Sequence, residues 1–430
     1  MQCINMCINQ DGITMIKSKY ISTIRNNKDE IVGYKIKAKN DIKDIKVEPL
    51  KQAIQQGKIR VVGLEITGSG DLISTEEKYK KLIVRSKLFG LVTEIPTYCG
   101  HKCYLITNND QDHTIYIPSD VIILNNGYEY LTFTDHIKNL QGTLRVIGGY
   151  SLEDANYMLC NCKVQDIDLS RFNTDNITNM SFMFKNCQAQ TLDLSNFDTS
   201  NVTTMDSMLC GCRAQTIDLS SFDTSNVTNM NSMFTGCKAK ILDLSSFDTS
   251  NVKSMYSMFD ECKAQTIDLS SFDTSNVTNM ESMFSGCKAQ TLDLSSFDTS
   301  NIRDMSYMFS YCQAQTLDLS NFDTSNVTNM ECMFCGCKAQ TLDLSNFDTS
   351  NVITMNSMFR YCKAQTLDLS SFDTSKVKDM ENMFDYCQSQ TLDLSSFDTS
   401  NVTNMGCMFC GCKAQVKATD QLILEAYKNR

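Results

Sequence analysis

The sequence predicts an α/β repeat solenoid of 25-residue strand–helix units, preceded by a small β-rich (α+β) N-terminal domain. The first observation is the period: a block of 25 residues returns almost unchanged in ten full units, and a fixed period of this length is typical of solenoids, propellers and arrays. The second is that each block joins a short alternating run to apolar residues at helical spacing. The third is that the sequence before residue 150 is not repetitive and holds all three prolines, Pro49, Pro96 and Pro118.

The change in sequence character divides the chain into four segments. We predict a β-rich N-terminal domain over 1–142, an N-terminal half-repeat cap over 143–165, ten repeats over 166–415 and a C-terminal capping helix over 416–430. Tyr157-Met-Leu-Cys-Asn-Cys162 matches the second half of a unit, and an atypical terminal repeat is expected because it must cover an apolar end. Thr419 or Asp420 can cap the terminal helix.

One unit, beginning at Thr191, shows how the elements are predicted. Leu192 and Leu194 alternate with polar residues, which indicates a short strand with one buried face. The D-T-S-N segment after it has side chains that cap helices and turns. Apolar residues then follow at offsets of 3, 6, 7 and 10 residues, which fit one face of a helix. They are Val202, Met205, Met208, Leu209 and Cys212.

The spacing of Ala189, Leu192, Leu194 and Phe197 is that of a leucine-rich repeat with alanine in the first apolar slot. The string L-D-L-S-x-F-D-T-S-N-V-T-x-M-x-x-M-F-x-x-C resembles the BspA-like leucine-rich-repeat family of bacterial surface proteins over about residues 155–415. This resemblance implies a right-handed leucine-rich-repeat array. It also implies an adhesion-type, protein-binding molecule that acts in host or cell-surface interaction.

The net charge of −11 is unevenly distributed. Residues 1–150 hold 20 Lys+Arg against 16 Asp+Glu, and residues 151–430 hold the remaining 19 against 34. Nucleic-acid binding requires clustered positive charge, so we expect no nucleic-acid partner for the repeats.

Neither a signal peptide nor an apolar run of about 18 residues is visible, so no transmembrane segment is expected. The localisation stays unknown, because the family suggests the cell surface or secretion while no leader or anchor appears. The motifs G-x-x-x-x-G-K-[ST] and G-x-S-x-G are missing. Cys99, His101 and Cys103 lack a second ligand pair, which favours a turn with structural thiols over a zinc site. We predict no enzyme activity, metal or cofactor; an enzyme within residues 1–150 is the remaining alternative.

An aspartate on the polar face of each predicted strand is the candidate binding feature. Stacked strands lie about 4.8 Å apart, and like charges opposite each other destabilise a sheet. One hypothesis is a solvated row with raised proton affinity; the other is a docking surface for a cationic or polar partner. Water and counterions, local hydrogen bonds or a basic partner would offset the repulsion. The row, the acidic strand-face ladder, is Asp168, Asp193, Asp218, Asp243, Asp268, Asp293, Asp318, Asp343, Asp368 and Asp393.

Two other ladders are given structural roles. The aspartate of each D-T-S-N segment is interpreted as a helix cap. A cysteine ladder is interpreted as small buried hydrophobes, because an odd count at one repeated position argues against disulfides between neighbouring repeats. The cysteines are Cys187, Cys212, Cys237, Cys262, Cys287, Cys312, Cys337, Cys362 and Cys387.

The function predicted from these features is a non-enzymatic protein-binding or adhesion-type leucine-rich-repeat protein with a repetitive acidic surface. Its partner would be a host or cell-surface protein. The alternative is a structural or assembly protein whose N-terminal domain docks to a larger particle or envelope. In that case the solenoid would serve as a spacer or a self-associating rod.

Overall fold

The computed structural model describes residues 133–137 and 139–430 and, before them, Ile83 and the strands between residues 7 and 117. The chain divides into two compact units, which are described separately. The first comprises Met1–Leu131, Asn139–Glu153 and Asp166–Asn176, and the second comprises Thr132–Lys138, Asp154–Gln165 and Ile177–Arg430.

The first unit is built of β-strands. They form a five-stranded sheet of order β13-β12-β11-β10-β9, a sheet β1-β2-β6, a sheet β3-β4-β5 and a hairpin β7-β8. The strands are β1 Cys7–Ile8, β2 Thr14–Ile16, β3 Tyr20–Arg25, β4 Ile31–Ala38, β5 Asp41–Lys46, β6 Ile59–Val61, β7 Leu64–Ile66, β8 Leu72–Ser74, β9 Val92–Pro96, β10 Lys102–Asn109, β11 Asp112–Ile117, β12 Thr143–Gly148 and β13 Asp166–Phe172. Ile106, Tyr116 and Ile147 pack together with Ile83 in a buried cluster of this unit.

The division between the units differs from the predicted boundaries at 142 and 165. Strand β12 of the predicted half-repeat and β13 of the predicted first repeat both belong to the five-stranded sheet. They pair in parallel, with Leu144 opposite Ile167 and Arg145 opposite Asp168. The strand of the first repeat therefore completes the sheet of the first unit.

The second unit is a β-solenoid of about 11 stacked turns with almost no helix. Its short parallel strands are β14 Thr191–Asp193, β15 Thr216–Asp218, β16 Ile241–Leu242, β17 Thr266–Ile267, β18 Thr341–Leu342, β19 Thr366–Leu367, β20 Thr391–Leu394 and β21 Gln415–Ala418. Its helices are α1 Thr134–Ile137 and α2 Gln421–Lys428. The strands pair in the register of the repeat, as in Leu192 opposite Ile217 and Leu342 opposite Leu367.

The helix expected in the second half of each repeat is not found, because this segment is a succession of tight turns. Ser207 and Gly211 have φ angles of 53° and 65°, in the left-handed region that interrupts a right-handed helix. The N–H groups of Met208, Cys210 and Cys212 donate to the carbonyl three residues earlier. The apolar offsets of 3 and 7 residues thus arise from consecutive turns.

The remaining N–H groups of the turn segment connect one repeat to the next. Met205 donates to the carbonyl of Asn229 at 3.0 Å, and Leu209 donates to that of Met233 at 3.0 Å. Alternate N–H groups therefore bond within a turn and between turns. This pattern satisfies the buried backbone without a helix.

The solenoid core consists of columns in which one residue type is stacked on itself. Phe259 and Phe284 lie with ring centroids 5.5 Å apart, and Phe222 and Phe247 lie 6.2 Å apart in a second column. Methionine columns run beside them and are fully buried in most repeats. Each unit therefore buries its apolar face against its neighbours, as repeat architectures require.

The chain ends in α2, whose N-cap is Asp420; the Asp420 carboxylate accepts hydrogen bonds from the N–H groups of Leu422 and Ile423. Within the predicted segment 416–430 the helix thus begins at Gln421, after strand β21. The Tyr427 hydroxyl donates to the Ala414 carbonyl at 2.8 Å. No helix in the described part of the chain is long and apolar enough to span a membrane.

Candidate functional site: the aspartate row of the strand face

The candidate aspartates lie at equivalent positions of successive strands. Asp193 is paired in register with Asp218 in a parallel ladder. Parallel pairing places equivalent side chains on the same face at the spacing of the strands, about 4.8 Å. All the predicted members are exposed except Asp168 and Asp268, which are half-exposed. We use the term aspartate row for the members in the solenoid, which run from Asp193 to Asp393 at intervals of 25 residues.

Each aspartate of the row is held by the serine two residues later. The Ser195 N–H donates to Asp193 Oδ1 at 3.1 Å, and the Ser195 hydroxyl donates to the same oxygen at 2.6 Å. The same pair of bonds forms at Asp343 with Ser345, at 3.1 and 2.7 Å. The L-D-L-S sequence thus fixes one carboxylate oxygen and leaves the other directed to solvent.

These hydrogen bonds favour the charged form of the carboxylates. The side chains and N–H groups of the serines lower the pKa of Asp293, Asp318 and Asp343, and the neighbouring aspartate is a smaller, opposing influence at Asp293 and Asp343. Hydrogen bonding to an ionised carboxylate lowers its pKa. The hypothesis of raised proton affinity is therefore wrong for these members, because local hydrogen bonds outweigh the repulsion between them.

Only the last member of the row is bound by a cation of the same chain within the described residues. Lys417 is paired in register with Asp393, and its Nζ lies 2.8 Å from Asp393 Oδ2. Lys417, followed by Ser395, lowers the pKa of Asp393 to about 2. In the first unit, Arg145 is opposite Asp168 with 3.7 Å between Nε and Oδ2.

The row borders two shallow depressions that are open to solvent. One of about 400 Å³ is lined by Asp193, Asp218 and Asp243 with the intervening threonine and leucine or isoleucine side chains. The other, of about 530 Å³, is lined by Asp343 and Asp368 in the same way. Neither has the enclosed apolar shape of a small-molecule pocket, so the face is suited to an extended partner.

The second aspartate series does not cap helices as predicted, because no helix follows it. Asp248 accepts a hydrogen bond from the Ser250 N–H at 3.0 Å in an Asx turn, the local arrangement that aspartate favours in turns. The neighbouring threonine connects one repeat to the next: Thr274 is fully buried, and its hydroxyl donates to the Asp298 carbonyl at 2.8 Å. The Asp298 N–H donates back to that hydroxyl at 2.8 Å.

The cysteine ladder lies in the core as free thiols. All nine predicted members are buried, and burial raises the pKa of Cys212 and Cys312 to about 12. Protonated, buried thiols behave as small hydrophobes.

Cys99 and His101 lie outside the described residues, and Cys103 is buried in β10. Among the residues that the structure describes, no cluster of three His, Cys, Asp or Glu side chains could hold a metal ion. The sequence analysis missed one arrangement, the thiol pair Cys332 and Cys335, which are three residues apart across a single turn. The signal was the C-x-x-C spacing.

One family model matches the repetitive part of the chain. It is described as "Mycoplasma protein of unknown function, DUF285", and it matches residues 135–241, 210–321 and 312–422. The chain belongs to this family. No curated protein and no solved structure matches significantly. The family description assigns no activity, so the function must be argued from the aspartate row itself.

Proposed function

We propose that the protein is a non-enzymatic binding protein whose aspartate row docks a cationic protein surface. The observation that carries the proposal is a series of carboxylates that are ordered by their serines, are exposed except at the half-exposed Asp268 and, from Asp193 to Asp368, form no ion pair within the described residues. Hydrogen bonds from the serines also lower the pKa of five of them, which are Asp243, Asp293, Asp318, Asp343 and Asp368. The resemblance to BspA-like, right-handed leucine-rich-repeat proteins supports a partner at a host or cell surface. Adhesion is then the biological role.

Lys417 provides a model for how the partner binds. Its ammonium group contacts the outward carboxylate oxygen of Asp393 at 2.8 Å, while Ser395 occupies the other oxygen. A lysine of a partner can contact Asp318 or Asp343 in the same way, because Ser320 and Ser345 hold those carboxylates in the same orientation. The energy of each exposed contact is small, so affinity requires several contacts.

The spacing of the row selects the geometry of the partner. Carboxylates at about 4.8 Å match basic side chains on one face of a helix, which are about 5–6 Å apart, better than alternate residues of an extended strand at about 6.6 Å. A helical segment with lysine or arginine at positions i, i+3, i+4 and i+7 therefore fits the row. Repetition of the row lets such a helix bind at several registers.

The test uses a fluorescent helical peptide with lysines on one face and a scrambled peptide of the same composition. We expect the helical peptide to bind more tightly, with an affinity that falls as salt is added, because exposed charges are screened. The variant Asp293→Asn/Asp318→Asn/Asp343→Asn should weaken binding roughly tenfold at the registers that include these positions, at about 0.5 kcal/mol for each contact, and so lower the number of peptides bound per protein, while the register over Asp193 to Asp268 stays intact. Fluorescence anisotropy measures the affinity.

The matched control is Asp298→Asn/Asp323→Asn/Asp348→Asn, which removes the same charge from the second aspartate series. We expect this control to bind the peptide nearly as well as the wild type. Equal losses in the two triple variants would mean that only net charge matters, and the proposal would be wrong. The same conclusion would follow if the scrambled peptide bound as tightly.

A second candidate, a structural or self-associating rod, is favoured by the last turn of the solenoid. Met405 and Val402 are partly exposed there, whereas Met380 and Val377 at the same positions are fully buried. Light scattering over a range of protein concentrations distinguishes the candidates. Concentration-dependent growth that Met405→Lys abolishes supports the rod, and a monomer at all concentrations excludes it.

A further inference from the structure

We propose that Cys332 and Cys335 form a dithiol site that a small disulfide, such as oxidised glutathione, converts to an intramolecular disulfide. The site is independent of the aspartate row, because it lies on the turn segment of its repeat. The paired thiols, their exposure and the side chains around them carry the inference.

The backbone places the two sulfurs close together. The Cys335 N–H donates to the Cys332 carbonyl at 3.0 Å, which closes a β-turn, and such a turn holds the first and fourth Cα atoms within about 7 Å. Disulfides require a Cα separation of about 4.4–6.8 Å. Closure therefore requires little movement of the backbone.

The repeats themselves show that the pair is a departure from the common pattern. The position of Cys332 is most often serine, as in Ser257, Ser282 and Ser357, and it is cysteine again only at Cys407. Both cysteines at this position are followed three residues later by a second cysteine, Cys335 or Cys410. Cys210 is the natural control, because Ser207 stands where its partner thiol would be.

The two thiols differ in exposure and in ionisation. Cys332 is partly exposed, whereas Cys335 is buried. The hydrogen bond from Cys332, helped by Tyr311, the guanidinium of Arg360 and Ser310, lowers the pKa of Cys335 to about 7. The hydrogen bond with Cys335 raises the pKa of Cys332 well above its ordinary value.

Gly336 and Asp385 keep the environment of Cys335 in place. Gly336 has a φ of 62°, and a Cβ there would come within 2.5 Å of the Tyr311 ring. Glycine therefore lets Tyr311 lie over the turn and reach Cys335. Asp385 Oδ2 holds Arg360 Nε at 2.8 Å and so fixes the cation of the next repeat near the thiols.

The reaction is a thiol–disulfide exchange in two steps. The Cys335 thiolate first accepts the Cys332 proton, and the exposed Cys332 thiolate so formed attacks one sulfur of the small disulfide. The small thiolate that leaves takes the proton from Cys335, which becomes a thiolate again. The Cys335 thiolate then attacks the Cys332 sulfur and expels the second small thiolate, which takes up a proton from solvent. Two protein thiols are oxidised to one disulfide, and one small disulfide is reduced to two thiols.

Cys407 and Cys410 provide a matched pair with a different environment. Arg360 lies one repeat after Cys335, and the described chain has no equivalent residue one repeat after Cys410. One repeat before Cys410 the residue is Asp385, whereas one repeat before Cys335 it is Ser310. The hydrogen bond that Cys410 donates to Cys407, together with burial and Asp385, raises the pKa of Cys410 to about 11. Ring closure at neutral pH should be roughly tenfold to a hundredfold slower at Cys407–Cys410. A higher pKa leaves a much smaller fraction of Cys410 as thiolate, and the greater nucleophilicity of that thiolate compensates only in part.

The experiment treats the whole protein with oxidised glutathione at pH 7, blocks free thiols by alkylation and maps each cysteine by fragment mass spectrometry. We expect a Cys332–Cys335 disulfide in the wild type and a stable glutathione adduct on Cys332 in Cys335→Ser. Mixed disulfide should accumulate on Cys407 and Cys210. Ser207→Cys should give Cys210 a partner and convert its adduct to a disulfide.

Serine stands at both positions in other repeats, so Cys332→Ser and Cys335→Ser should fold. Arg360→Gln should slow closure at pH 7 and have little effect at pH 9, where Cys335 is ionised without the cation. A wild-type Cys332 that stays reduced, or that keeps glutathione without closing, would overturn the proposal. Closure at Cys407–Cys410 as fast as at Cys332–Cys335 would overturn the predicted effect of the environment, and closure of Arg360→Gln at the wild-type rate at pH 7 would overturn the role of Arg360.

Discussion

At the scale of the residue, the D-T-S-N segment shows which side-chain roles can be predicted from a repeated sequence and which cannot. Its polar composition correctly indicated a turn, and the aspartate does accept the N–H two residues later, as at Asp323 with Ser325. The threonine received no role from the sequence, although Thr274 is fully buried. The sequence does not distinguish a threonine whose hydroxyl faces the core from one whose hydroxyl faces solvent, because that depends on the direction of the side chain.

The buried threonines should contribute strongly to the stability of the stack. Thr274→Val removes both bonds between the buried Thr274 hydroxyl and the partly buried Asp298 backbone, which costs about 1–3 kcal/mol. The measurements are the free energy of unfolding in urea and the hydrogen exchange of the Asp298 amide. The control is Thr278→Val, because its hydroxyl bond to the Lys253 carbonyl is exposed. Equal effects of the two substitutions would contradict this account.

At the scale of the element, the strand was predictable and the return segment was not. Alternation at Leu192 and Leu194 has one structural interpretation, and strands occur there. Apolar residues at offsets of 3, 6, 7 and 10 suit either a helix or consecutive turns closed by bonds between residues i and i−3. The deciding feature is the left-handed backbone at Ser232 and Gly236, with φ angles of 53° and 62°, and serine gives no sequence signal for it.

Gly236→Ala tests the turns directly, because a helix and a left-handed turn predict opposite signs for the change in the free energy of unfolding. In a helix the change would stabilise by about 1 kcal/mol. In the observed left-handed conformation it should destabilise by about 1–2 kcal/mol, although the nearest atom to the new Cβ would be 3.9 Å away at Gly211. Urea denaturation measures the sign. Gly406→Ala is the control, since Gly406 is not among the residues with positive φ.

At the scale of the whole molecule, the repeat period correctly predicted a solenoid, and the charge count correctly located the excess of acid in it. The protonation of the aspartate row could not be predicted, because the sequence places like charges together but does not show that Ser295 or Ser320 bonds to them. The thiol pair went unnoticed because the sequence analysis considered the cysteine position that recurs in every repeat and not the cysteines that occur in single repeats.

The lowered pKa values also determine how acid affects the fold. A carboxyl group whose pKa is lower in the folded state contributes stability above its unfolded pKa and loses it as the pH falls through the folded value. For Asp293, Asp318 and Asp343 the ordinary value is 3.8. Their contribution should therefore be complete at neutral pH and disappear only below about pH 4.

The most direct test of the central claim is the carboxyl carbon titration of Asp293, Asp318 and Asp343 by NMR in the intact protein. The claim is that the aspartate row is a fully ionised surface, ordered by its serines and open to a cationic partner. The account predicts a pKa below 3.8 for all three, with an upward shift for Asp318 in Ser320→Ala. Values above 3.8 in the wild type would show that repulsion between the aspartates dominates and would contradict the claim.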